Sequence, residues 1–173
     1  MKKKISIIII GIIAVILLIP VFLKSTFKIE RSIVISKPAS LIFQTVSNYG
    51  TWKNWSIWAI KDPLQTITIS GKPGEVGHLQ EWDGRINGKG KQTITALVKD
   101  KEIEFELEFL DPNPMKSTAK FILDPIENGT KVTWMTTGEL EYPIGRYFGF
   151  FLDGLIGPDF EAGLGNLKTL LEK

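Results

Sequence analysis

The first hydrophobic pattern in the chain has no period at all. Ile5 to Leu23 runs for 19 residues without a charge and with nothing more polar than Ser6. At about 1.5 Å per helical residue it spans roughly 28 Å, close to the hydrocarbon thickness of a bilayer. A helix apolar on every face has no use in a small soluble domain. Residues 5–23 are therefore expected to form a transmembrane anchor behind a basic tail at residues 1–4. A cleaved signal peptide is the competing reading, with an apolar stretch of about 7–15 residues and small residues at the cut. Here the stretch is longer, and Lys24-Ser25-Thr26-Phe27-Lys28 offers no A-x-A-like pair. Pro20 near the far end is tolerated in a membrane helix.

Beyond residue 24 the pattern becomes periodic. Phe27–Ile35 has strand composition, and Pro38 suits the first turn of a short helix carrying Leu41, Ile42, Thr45 and Val46. Ile103, Phe105, Leu107 and Phe109 alternate with four glutamates, the signature of a strand with one face on a core and one in water. Asn87-Gly88 and Asn128-Gly129 predict tight hairpins around residues 79–97 and 116–138, in turns whose two central residues have positive φ. Weaker strands fall at residues 65–70 and 78–85. The last helix is expected to start at Pro158, with Phe160, Leu164, Leu167 and Leu171 as one stripe. Gly163 and Gly165 inside it imply close approach of a neighbour or a ligand. The order predicts an α+β domain at residues 24–173, an antiparallel sheet of six or seven strands wrapped around a long C-terminal helix.

Charge narrows the partners. With Lys2, Lys3 and Lys4 set aside, the domain holds 18 Lys and Arg against 19 Asp and Glu. It has no concentrated positive field, so no nucleic-acid partner is expected. Lysines crowding the first four residues place the amino terminus in the cytoplasm and the domain outside it, as a single-pass membrane protein. There is no cysteine, which excludes disulfides and a lipid-modified amino-terminal Cys.

Motifs then point to a family. Trp52-Lys-Asn-Trp55-Ser56-Ile-Trp58 with Asp62-Pro63 is followed by Gly71, Gly74, Gly77 and Trp82. Gly88, Gly90, Gly129-Thr130-Lys-Val-Thr-Trp134 and the segment Gly157-Pro-Asp159-Phe160-Glu161 through Lys168 complete the series. Each is weak alone, but their order resembles the START-like, polyketide cyclase/dehydrase-type (SRPBCC) superfamily over nearly all of residues 27–173. The resemblance implies a helix-grip fold with a cavity between sheet and terminal helix that binds a hydrophobic small molecule. It implies no shared catalytic set.

The chain must therefore show its own chemistry. His78 is the only histidine, and a zinc-type site needs three or four ligands. No metal or cofactor is expected, and His78 reads as an exposed or half-buried strand residue. Glu81 and Asp83, two apart on a strand, are the best acid–base pair if they face the cavity; otherwise they flank an inward Trp82 as solvent charges. Trp52 and Trp55 are expected to pin the helix–loop segment onto the sheet. Trp58, Trp82, Trp134, Phe160 and Leu164 are the expected cavity residues, with Glu81 or Glu161 able to orient a ligand. Residues 144–156 carry more aromatic surface than a short helix needs. Core packing, a glycine-hinged lid, or a segment resting on the membrane would each explain it.

Three functions stay open. One is a membrane-anchored binder or transfer protein for a lipid-like molecule, in contact with the bilayer. Another is a cyclase- or dehydratase-like enzyme using Glu81, Asp83 or His78. The third is a structural or stress-related tethered module, favoured if side chains fill the sheet–helix space.

Overall fold

The computed structural model describes residues 2–173, with side chains from Lys4 onward. Helix α1 (Lys2–Leu18) passes into a single 3-10 turn, Ile19–Phe22, that has Pro20 in its first turn. By length and composition, Lys4–Phe22 fits a membrane span or a signal sequence. Three residues later β1 (Thr26–Ile35) begins. Three short helices follow it, α2 (Ala39–Val46), α3 (Tyr49–Trp52) and α4 (Ile57–Lys61). Strands β2 (Thr66–Ser70), β3 (Leu79–Gly84), β4 (Gly88–Val98), β5 (Glu102–Asp111), β6 (Met115–Ile126) and β7 (Gly129–Glu139) form a meander. Helix α5 (Ile144–Leu171) closes the chain.

All seven strands make one antiparallel sheet in the order β1-β7-β6-β5-β4-β3-β2. The Asn-Gly dipeptides do sit at hairpins, but only the glycines take positive φ, 64° at Gly88 and 140° at Gly129. Arg85–Asn87 form a three-residue loop between paired Gly84 and Gly88, so this turn is looser than the two-residue type. The glutamates of β5 face outward, where Lys120 pairs with Glu102 and Glu104, and Lys91 and Lys116 pair with Glu108.

The inner face is arranged in cross-strand rows. Ile103, Phe121, Trp134 and Arg31 lie side by side across β5, β6, β7 and β1. The next row toward α1 is Phe105, Ala119, Thr136 and Ile29; the one after is Leu107, Ser117, Gly138 and Phe27. Side-chain volume on β6 and β7 thus falls from Phe and Trp to Ser and Gly within two rows. The sheet is filled at one end and sparsely filled at the other.

Helix α5 is longer than expected. It starts at Ile144, and Pro158 lies inside it. An interior proline usually costs about 3 kcal/mol because it removes a bond to the carbonyl four residues back. Here that carbonyl belongs to Gly154, an exposed residue, so water can serve it. Gly145, Gly149, Gly154 and Gly157 are all helical and supply no hinge. Gly163 does mark a close approach: a Cβ there would lie 2.9 Å from the Trp134 ring. Gly165 marks none, with nothing within 4 Å of the equivalent position.

Candidate functional site

The residues expected around a central cavity instead pack on one another. Trp134 is 3% exposed and stacks between Phe121 (ring centroids 4.7 Å apart) and Phe160 (4.2 Å). Trp58 meets Trp134 and Phe160 edge-on at 5.4 and 6.1 Å, and Leu164 is fully buried in the same cluster. Trp52 and Trp55 press onto Phe105 and Phe121 of the sheet from the helical segment. Side chains therefore fill the space under the second half of α5. Trp82 lies elsewhere, over Gly90 and against Phe109, with its indole N–H donating to the Asn87 carbonyl at 3.3 Å. Its ring pins the β3–β4 hairpin.

The four polar candidates do not converge on one site either. Glu81 and Asp83 are exposed on β3, where Asp83 pairs with Lys89 at 2.8 Å. Their outward direction follows from period-2 alternation around Trp82, which turns its ring to the inner face. Glu161 is held by Arg31. His78 is 1% exposed, not the surface residue expected. Its Nε2 accepts the Tyr49 backbone N–H at 3.2 Å, which leaves Nδ1 to carry the proton and donate to the Ser70 carbonyl at 2.9 Å. The imidazole stacks on the Tyr49 ring at 4.7 Å. Both nitrogens are thus used: Nε2 joins the loop before β3 to α3, and Nδ1 joins it to the end of β2. Burial alone pushes the Tyr49 phenol well above its ordinary pKa. Among the described residues, no group of three or more His, Asp or Glu could hold a metal ion.

Open space lies at the other end of the sheet. A groove of about 1570 Å³ runs beneath the first half of α5 to the foot of the apolar N-terminal helix. Phe27 and Ile29 from β1, Ser117 and Gly138 from the small-residue rows, and Leu140, Phe148 and Leu152 line its apolar part. Lys28, Glu106 and Asp153 stand among its polar residues. Gly138 is required opposite Phe27, because a Cβ there would come within 2.6 Å of the Phe27 ring. A shallower depression of about 450 Å³ lies over the β6–β7 turn, at the other end of β1. It lacks aromatic walls, so the larger groove is the better ligand site.

None of Trp58, Trp82, Trp134, Phe160 and Leu164 lines the groove. The signal for the residues that do is the run of small inward positions Ser117, Ala119, Thr136 and Gly138. It becomes readable only once strand register is known.

Two polar devices fix the groove's roof. Arg31 on β1 reaches under α5, donating from Nη1 and Nη2 to Asp153 at 2.9 and 3.0 Å and from Nε to Glu161 at 2.6 Å. Gly157 makes room for it, since a Cβ there would overlap the guanidinium. These bonds hold the Asp153 carboxyl below its ordinary pKa and the Arg31 guanidinium above its own. At the α1 side, Tyr147 and Arg146 donate to the carbonyls of Ile16 and Pro20 at 2.9 and 2.8 Å, and Tyr142 donates to that of Leu17. Arg146 also lies over the Tyr142 ring, 5.5 Å from its centroid. The carbonyls left open at the end of an apolar helix thus find donors in the domain.

Comparison with known proteins agrees with this architecture. A protein of known structure from Chromobacterium violaceum is 16% identical, with 86% of this chain and 98% of that chain covered and a TM-score of 0.60. One from Thermobifida fusca is 16% identical over 82% of this chain and 90% of that one, TM-score 0.63. The di-domain ARO/CYC BexL of the BE-7585A biosynthetic pathway is 18% identical over 84% of this chain, TM-score 0.60, and this chain covers 50% of BexL. At these identities the likeness establishes the fold. No curated protein matches the chain. The family model described as polyketide cyclase/dehydrase and lipid transport matches residues 26–172, so the chain belongs to that family.

Proposed function

We propose that this chain is a membrane-tethered binding or transfer protein for a hydrophobic, lipid-like small molecule, held in the groove beneath the first half of α5. The observation that carries the reading is the position of that groove. It opens where the sheet's inner rows shrink to Ser117 and Gly138, and its walls include Phe22 and Leu23 at the end of the apolar helix. Affinity would come from apolar burial against the exposed lining residues Phe22, Met115, Ile144, Phe148 and Phe150, at about 25 cal/mol per Å², over a floor of Phe27, Ile29 and Leu140 already packed on one another. Orientation would come from the polar groups at the rim.

Two competing readings have less support. Glu81 and Asp83 face water, and His78 has both nitrogens engaged, so none of the acid–base candidates of the enzymatic reading stands at the groove. The filled interior under the second half of α5 fits a structural module, but that reading gives no role to the groove. Native mass spectrometry of the full chain, after exposure to lipid extract of the source cell, tests the proposal. A specific co-purifying mass, lost in Leu152→Trp, supports it. A chain that stays bare, or carries the same mass in the variant, contradicts it.

A further inference from the structure

We infer that the first three turns of α5 are embedded in the bilayer surface beside the anchor, so that the groove opens sideways into lipid. This rests on the tethered-binder reading above and adds the surface by which the domain meets the membrane.

Hydrogen bonds set the depth. Tyr147 and Tyr142 bond the carbonyls of Ile16 and Leu17, and Arg146 that of Pro20. Ile16 lies seven residues inside the distal end of the apolar run at Leu23, roughly 10 Å by helical rise. Wherever that end of the run lies in a membrane, the start of α5 lies at the same level. Tyr and Arg suit such a zone, because each places an apolar body in the acyl boundary and a polar tip at the headgroups.

The outer face of the helix continues the argument. Ile144, Phe148, Phe151 and Leu155, at spacings of four, three and four, form one stripe, exposed by 73, 55, 64 and 59%. The adjoining face turns Gly149 toward Leu140, and Leu152 and Ile156 toward Phe27 and Ile29, while Ile144 and Phe148 stand at the groove's rim. An ordinary surface helix directs its polar side outward, and this stretch does the reverse. Its one acid, Asp153, is engaged by Arg31. The occupant of the stripe is the leaflet rather than a second copy, because this stretch is already bonded to its own chain's membrane helix.

The chain has no cysteine, so single nitroxide labels can be placed cleanly. Full-length Phe151→Cys is labelled in phosphatidylcholine/phosphatidylglycerol nanodiscs, with Ile9→Cys in the apolar helix and Leu64→Cys, 94% exposed, as references. Leu155→Cys, outside the groove lining, repeats the reading one turn away. Power saturation compares collision with oxygen and with a water-soluble nickel chelate. The labels at 151 and 155 are expected to follow the Ile9 position, oxygen-rich and shielded several-fold from nickel relative to Leu64. A nickel-accessible label at 151 with a lipid-exposed label at 9 overturns the inference and leaves the tether intact. An aqueous label at 9 overturns both. Shielding from both reagents, with dipolar coupling between chains, would place a second copy on the stripe and also overturns it.

Discussion

The indole of Trp134 lies flat on the Phe160 ring, 4.2 Å between centroids and 7° between planes. That pair joins the sheet to α5 and occupies the place where a ligand cavity was expected. Trp134→Ala should destabilise the domain by about 3–5 kcal/mol, read by denaturant unfolding. Trp134→Phe should cost less and leave binding of a hydrophobic probe intact, because Trp134 does not line the groove. Loss of binding in that folded variant would return the ligand to the interior.

Gly163 and Gly165 should respond oppositely to alanine. Alanine gains about 1 kcal/mol over glycine inside a helix. At Gly165 nothing opposes that gain, and Gly165→Ala should raise the melting temperature. At Gly163 the new methyl meets the Trp134 ring, which Phe121 and Phe160 hold in a stack, so Gly163→Ala should destabilise by about 1–3 kcal/mol. Calorimetry of the two variants separates these outcomes.

The Arg31 latch should govern α5 only as far as Glu161. Arg31→Gln should speed amide exchange across residues 144–161 by roughly two- to fivefold, the range expected of exposed ion pairs, and leave residues 164–171 unchanged. Acid should act likewise. The Asp153 carboxyl is held below its ordinary value of 3.8 by its bonds to Arg31, so the stabilisation is fully present above that pH. It is lost as pH falls through the still lower folded value. Exchange corrected for its intrinsic rate should therefore stay flat from pH 7 to 5 and rise only below about 3.8 in this segment.

His78 is structural, so His78→Ala should leave the Tyr49 N–H unpaired in a buried site and cost about 2–4 kcal/mol. His78→Asn, which keeps an acceptor, should recover part of this. Urea titration of the two variants measures the difference.

Much of the fold was legible in the residues. Alternation marked β5, the Asn-Gly dipeptides marked two hairpins, and the unbroken apolar run marked α1. Two misplacements have physical causes. Pro158 resembles a helix start, yet it is tolerated inside α5 because the carbonyl it leaves free is exposed. His78 resembles a surface strand residue, yet its partners are a backbone N–H and a carbonyl distant in sequence, which no local pattern encodes. The groove was hidden for a related reason. Tryptophan suggested where a ligand would touch, whereas the space arises where Ser117 and Gly138 fall side by side. Only the pairing of β6 with β7 brings them together.

The most direct measurement is where a lipid-like molecule touches the protein. Full-length chain in nanodiscs containing a diazirine-bearing fatty acid is irradiated, and the cross-linked peptides are mapped. The account predicts adducts in the segments holding Phe27–Ile29, Leu140 and Phe148–Leu152, besides those on the anchor itself, and their loss at Leu140 and Phe27 in Leu152→Trp. Adducts confined to the anchor, or concentrated around Trp58, Trp134 and Phe160, would contradict it.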